Sequence, residues 1–119
     1  MEKKLQPPKN QMIEALRILG LARRAGAVAP GAAATRRSIS RGEARVVLMA
    51  KDASAAQLDK IRRTMRKRII PQVLLGDRAT LGAAIGKAPI TAVAVTDASL
   101  AGRLLEIIDG EIMVDEGRD

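Results

Sequence analysis

Histidine, cysteine, phenylalanine, tyrosine and tryptophan are all absent from this 119-residue chain. Without His or Cys there is no ordinary zinc site, thiol nucleophile, disulfide or Ser-His-Asp triad. Without aromatic rings, bases cannot stack on Phe or Tyr. That excludes the RRM mode and the usual aromatic OB-fold platform. No apolar run reaches the roughly eighteen residues that a membrane-spanning helix needs. Met1-Glu2-Lys3-Lys4 leads into no apolar signal segment, so a cytoplasmic location is expected, with no membrane partner.

What remains is aliphatic and basic. Ala, Leu, Ile, Val and Met bring the hydrophobic content to 47%, enough for a folded core without aromatics. One domain is expected, in which a chain this size buries roughly 65% of its unfolded surface. There are 21 Lys+Arg against 13 Asp+Glu, a net charge of +8. The charge is uneven: residues 1–105 carry +13 and residues 106–119 carry −5. A basic body points to nucleic acid first and to an anionic membrane surface second. Charge kept for solubility is the plainer alternative.

Hydrophobic periodicity sets out the elements. Residues 1–9, with Pro7-Pro8, form a loose leader, and a helix follows from Asn10 to Ala25 with Met12, Ile13, Leu16 and Leu19 at helical spacing. Ala27–Ala29 suits a short strand and Gly31–Ser40 a second helix. The apolar runs Ala44–Ala50, Ile70–Leu75 and Ile90–Thr96 read as buried strands. Asp52 or Ser54, Asp77, and Asp97 or Ser99 cap helices ending near Arg68, Ala84 and Ile108. Ile112-Met113-Val114 would be a residual strand or a docked tail, within an acidic segment 110–119. This alternation predicts an α/β domain whose sheet is covered on both faces.

The segment Pro30-Gly31-Ala32-Ala33-Ala34-Thr35-Arg36-Arg37 stands out. It is a turn, a helix start without a polar cap, and two cations one turn in. A helix N-terminus presents unpaired N–H groups and a partial positive charge, which favour phosphate or carboxylate. Lys60–Arg68 holds six cations in nine positions, outward of Ile61 and Met65. That run suits either a phosphate backbone or a solvated helix face with cations at its C-terminal end. Leu81–Ala88 fails as a phosphate loop: three residues separate its glycines where four are needed, and Ala88 follows Lys87 where Ser or Thr is required. No Gly-x-Gly-x-x-Gly occurs. Asp52, Asp77 and Asp97 could line an active site at strand ends, but capping explains all three. The protein is expected to be non-catalytic, with no cofactor and no metal.

Taken in order, five segments resemble a known family. They are Ile18–Gly26, then Gly31 with Arg37, then Val47–Ser54, then Leu81–Lys87 before Ala92–Asp97. They look like the kink-turn RNA-binding ribosomal proteins L-seven-Ae and L-thirty-e, especially the bacterial YlxQ-type branch, over residues 12–108. The resemblance implies a three-layer α/β/α sandwich with a mixed four-stranded sheet. It further implies that structured RNA, kink-turn-like or ribosomal, is the partner of a protein of bacterial translation or ribosome biogenesis. The helix-start motif of archaeal and eukaryotic members, Gly-x-Asn-Glu-x-x-Lys, maps onto Gly31 through Arg37. Its base-reading Asn and Glu fall on Ala33 and Ala34, so looser recognition of folded RNA is expected. The implied contacts are Gly31, Ala32, Ala33, Ala34, Arg36, Arg37 and Lys51, with Lys87, Ala88, Pro89 and Ile90 as a second region bearing a small apolar surface. A monomer is expected. The loss of both base readers motivates a second expectation, a protein-interaction scaffold of the same fold. A third, a detached substrate-binding module of an RNA methyltransferase, lacks any catalytic segment in this chain.

Overall fold

The computed structural model describes the backbone of residues 7–117 and the side chains of residues 7–108. Five helices and four strands follow in the order α1 (Lys9–Arg24), β1 (Val28–Pro30), α2 (Ala32–Ser40), β2 (Val46–Met49), α3 (Ala55–Thr64), β3 (Gln72–Leu74), α4 (Arg78–Ala84), β4 (Ala92–Val95) and α5 (Ala98–Gly117). The strands form one sheet in the order β1-β4-β2-β3. β4 runs antiparallel to both neighbours, with Val28 opposite Val95 and Val46 opposite Val95, whereas β2 and β3 are parallel. The sheet is therefore mixed, and both central strands are buried throughout.

Strand alternation sorts the core into two layers, because neighbouring side chains point to opposite faces. Val46, Leu48, Val93 and Val95 face α1, α4 and α5, where Ile18, Leu19, Leu81, Ile85 and Leu104 are fully buried. Val47, Met49, Ala92 and Ala94 face α2 and α3, against Ile39, Ile61 and Met65. The first layer meets branched residues of β4 and the second meets only alanines. That lets α2 lie close over β4, and the Thr35 hydroxyl then donates to the Ala29 carbonyl at 3.2 Å. The result is an α/β/α sandwich with an aliphatic core.

Several boundaries differ from those the periodicity predicts. α3 ends at Thr64 rather than Arg68. The Thr64 hydroxyl donates back to the Lys60 carbonyl, and Arg66 and Arg68 close tighter turns onto Arg63 and Met65. β3 starts at Gln72, because Pro71 has no N–H for the ladder; its carbonyl still accepts from Val47. α5 continues through Ile112-Met113-Val114 to Gly117, so that stretch is helix and not strand. No proline interrupts it, and Gly110 costs only about 1 kcal/mol of helix propensity. Helix α1 begins at Lys9, inside the expected leader, whose residues 1–6 lie outside the described residues.

The caps also sort differently. Ser54 caps α3 by accepting from Gln57 N–H at 3.1 Å, and Asp77 and Asp97 accept from Thr80 and Leu100 N–H. Asp52 caps no helix of its own. Its carboxylate reaches across to the first turn of α4, accepting from Arg78 N–H at 2.9 Å and pairing with the Arg78 guanidinium at 3.5 Å.

Ala94→Leu is expected to overpack the thin α2–α3 layer and to cost about 1–3 kcal/mol in urea unfolding. The same enlargement at exposed Ala83 is the control, expected within about 0.5 kcal/mol of the parent. Equal effects at both sites would contradict the layer assignment.

Candidate nucleic-acid interface

Gly31 begins the site because of its backbone. Its φ of 92° lies where only glycine is comfortable, and it turns β1 sharply into α2. Its N–H is held by the Ala92 carbonyl at 2.8 Å, and its own carbonyl accepts from Thr35. The next three N–H groups, of Ala32, Ala33 and Ala34, find no acceptor among the described residues. No side chain caps this helix, and its first turn holds no acid. Ala33 is exposed, with Ala32 and Ala34 half-buried, so the orphan donors open towards solvent. Arg36 and Arg37 follow on the outward side, since Thr35, Ser38 and Ile39 are buried.

The sheet register brings the other predicted segments to the same end. β1 and β2 finish where β4 starts, with Pro30 opposite Val93 and Met49 opposite Ala92. Ala50 N–H then bonds the Thr91 carbonyl at 2.8 Å, and Lys51 N–H bonds the Gly76 carbonyl at 2.9 Å. Lys51 thus emerges beside the chain entering β4, exposed to solvent. It lies close to Asp77, whose carboxyl is held below its ordinary pKa. The Thr80 hydrogen bonds contribute most to that shift, and the Lys51 charge adds to it.

The 87–90 segment is set by α4. Gly82 sits where any Cβ would lie 2.2 Å from the Ala88 carbonyl oxygen, so only glycine lets the loop fold back onto the helix. Lys87 N–H bonds the Gly82 carbonyl at 2.8 Å and Ile90 N–H bonds the Arg78 carbonyl at 3.1 Å. Lys87, Ala88 and Pro89 are exposed and Ile90 half-buried, a small apolar surface next to one cation. The arrangement offers backbone donors, solvent-facing cations and a small aliphatic patch. It can hold phosphates and rest against a base, but it has no side chain placed to read a base edge at Ala33 or Ala34.

Three further residues lie in this region beyond the contacts expected from the sequence. Arg23, at the end of α1, lies so close to Gly86 that a side chain there would meet its guanidinium at 3.6 Å. Gln57, in the first turn of α3, accepts from the Thr91 hydroxyl at 3.1 Å. Gly82 carries a legible signal, a glycine inside a helical pattern, which often marks a close backbone approach. Arg23 and Gln57 carry none, because their position depends on contacts distant in sequence. Among the described residues no group of three His, Cys, Asp or Glu could hold a metal ion, and no helix is long and apolar enough to cross a membrane.

Comparison with known proteins identifies the family. Residues 14–104 match the ribosomal protein L7Ae/L30e/S12e/Gadd45 family, and the chain belongs to it. It is 35% identical over 92 residues to the RNA-binding protein YlxQ of Bacillus subtilis, a match spanning 77% of this chain and 92% of that one. A solved structure of a Bacillus halodurans protein of unknown function superposes with a TM-score of 0.75 at 30% identity, covering 80% of this chain and 96% of that one. The Giardia lamblia 15.5kD RNA binding protein shares the fold, with a TM-score of 0.68 at 21% identity over 92% of each chain.

Two outcomes are expected. Gly82→Ala should displace the loop, shifting the amide resonances of Lys87 to Ile90, and cost about 1–3 kcal/mol; an unshifted loop would contradict the close packing. Asp77→Asn should flatten the acid limb of the stability curve. Since the folded pKa of Asp77 is lowered, its stabilisation is present above the ordinary carboxylate pKa and lost as pH falls through the folded value. Urea midpoints measured between neutral and acidic pH check the sign.

Proposed function

We propose that this protein is a non-catalytic RNA-binding protein. In this reading it grips structured RNA, kink-turn-like or ribosomal, through the start of α2 and the loop before β4, in a cytoplasmic role in bacterial translation or ribosome biogenesis. The observation that carries the reading is the bare start of α2. Three consecutive N–H groups lack acceptors, behind a glycine turn and beside Arg36 and Arg37. Phosphate satisfies orphan donors and charge together, which neither a neutral ligand nor an apolar partner does. The family membership and the name of the Bacillus subtilis relative support RNA as the source of that phosphate.

Recognition is led by shape and phosphate. Ala33 and Ala34 offer no side-chain donor or acceptor, and phosphate contacts position a protein without reading sequence. Arg37 contributes a planar fork able to hold two phosphate oxygens. Lys51 contributes less, because Asp77 already lies near it. Lys87 and the Ala88-Pro89-Ile90 surface form the second contact, with the aliphatic patch against a base turned out of its stack.

Binding is expected to weaken by a factor of roughly ten between low and physiological salt for every two to three phosphates neutralised, with a log-log slope of about 0.7–0.9 per phosphate. Filter binding of ribosomal RNA, an A-form duplex and a standard kink-turn checks this. Arg37→Ala should reduce both affinity and slope, whereas Arg17→Ala, on the far side of α1 and paired with Glu14, should leave both unchanged. No retention of any of the three RNAs at low salt would favour the protein-interaction scaffold.

A further inference from the structure

The densest positive charge in the molecule lies away from the α2 start. An open depression is lined by Ser40, Arg63, Thr64, Arg66, Lys67 and Arg68, where α2 ends and α3 unwinds. Two of the cations nearby have structural work: Arg68 donates to the Ser40 carbonyl at 2.9 Å, and Arg62 to the Gln72 side chain at 3.3 Å. The guanidinium of Arg68 also closes over Gly42, where a Cβ would lie 3.2 Å from it. Lys60, Arg63, Arg66 and Lys67 are exposed, and among the described residues no side-chain hydrogen bond or ion pair engages them. Ile69, directly after them, is fully exposed.

Magnitudes decide against a purely local role. The ends of α2 and α3 together present about one negative charge in partial dipoles, which a single cation neutralises. Arg41, Arg63, Arg66, Lys67 and Arg68 leave a surplus, and the acids on these elements are only Glu43 and Asp59. Arg63, Arg66 and Lys67 line one depression, and an anion spanning them relieves the repulsion among their like charges. The patch is also continuous with the first site. Arg37 lies in the last turn of α2 and Arg41 caps its end four residues on, and the nine residues of that helix span about 13 Å. One folded RNA can reach from one end to the other.

We infer that the α2–α3 end, through Arg63, Arg66, Lys67 and the exposed Ile69, is a second RNA contact that grips the phosphates of a helix flanking the element bound at Gly31. This rests on the RNA-binding reading and deepens it: the footprint is two-sided, with α2 as the bridge. A membrane surface fits less well, since the residues lining the depression are all polar or charged and one exposed large apolar residue, Ile69, follows them in sequence.

The test compares the parent, an Arg63→Ala/Arg66→Ala/Lys67→Ala triple variant and Arg37→Ala. Two probes are used, a kink-turn with short stems and the same kink-turn with one long flanking helix. Thermal melts establish that the triple variant folds; being confined to exposed, unpaired side chains, it should melt with the parent. The triple variant should bind the short probe like the parent. On the long probe it should bind at least tenfold more weakly, with a salt slope reduced by roughly two to three, whereas Arg37→Ala should weaken both probes. Parental affinity and slope of the triple variant on the long probe, with Arg37→Ala still impaired, would overturn the second contact and leave the first intact. Failure of the parent to bind either probe or ribosomal RNA would overturn both. Binding to vesicles of anionic phospholipid that the triple variant loses, with its RNA binding unchanged, would assign the patch to membrane instead.

Discussion

The proposed RNA face depends on how the first residues of β4 are held between β1 and β2. The Ala92 carbonyl takes the Gly31 N–H, and the Thr91 carbonyl takes the Ala50 N–H, both at 2.8 Å. With these two bonds, three loops that are far apart in sequence meet at one end of the sheet. Were β4 to slip by one residue, its alanines and valines would exchange faces, since side chains alternate along a strand. The α2–α3 layer would then meet valines where it now meets Ala92 and Ala94. Register, core and site are one constraint.

Charge at this face is arranged by what is left unpaired. Among the described residues the ion pairs Glu14–Arg17 and Asp52–Arg78 lie at exposed positions and contribute little to stability. The free groups carry more consequence: three backbone donors at the start of α2, and the cations of α2, Lys87 and the α3 turn. Asp52 and Asp77 instead fasten the start of α4, and Gly82 fastens the loop that follows it. The acids therefore shape the scaffold that presents the 87–90 segment, while the cations and orphan N–H groups stay open.

Much of the fold was legible because its signals are local. ARVVLMA is too short and too β-branched for a helix, and Ser54, Asp77 and Asp97 announce helix starts by side-chain chemistry. Element ends were less legible. Thr64 stops α3 by turning its hydroxyl on its own helix, and α5 passes Gly110 because nothing after it favours a turn strongly enough. Asp52 misled for a different reason: it follows a strand as a cap would, but the donor it serves lies across the fold on α4.

Local chemistry alone accounts for the aliphatic core, the order of the elements, the bare start at Gly31 and the concentration of cations in Lys60–Arg68. Those features depend on residue type and short spacing, which the chain carries before it folds. Folding had to supply the partners. It put Thr91 against Gln57, Arg23 beside Gly86, Asp52 at the start of α4 and Arg68 on the end of α2, contacts whose sequence separations no periodicity encodes. It also left Lys60, Arg63, Arg66 and Lys67 without side-chain partners among the described residues. A side chain is free only once every neighbour that could have claimed it has been placed elsewhere.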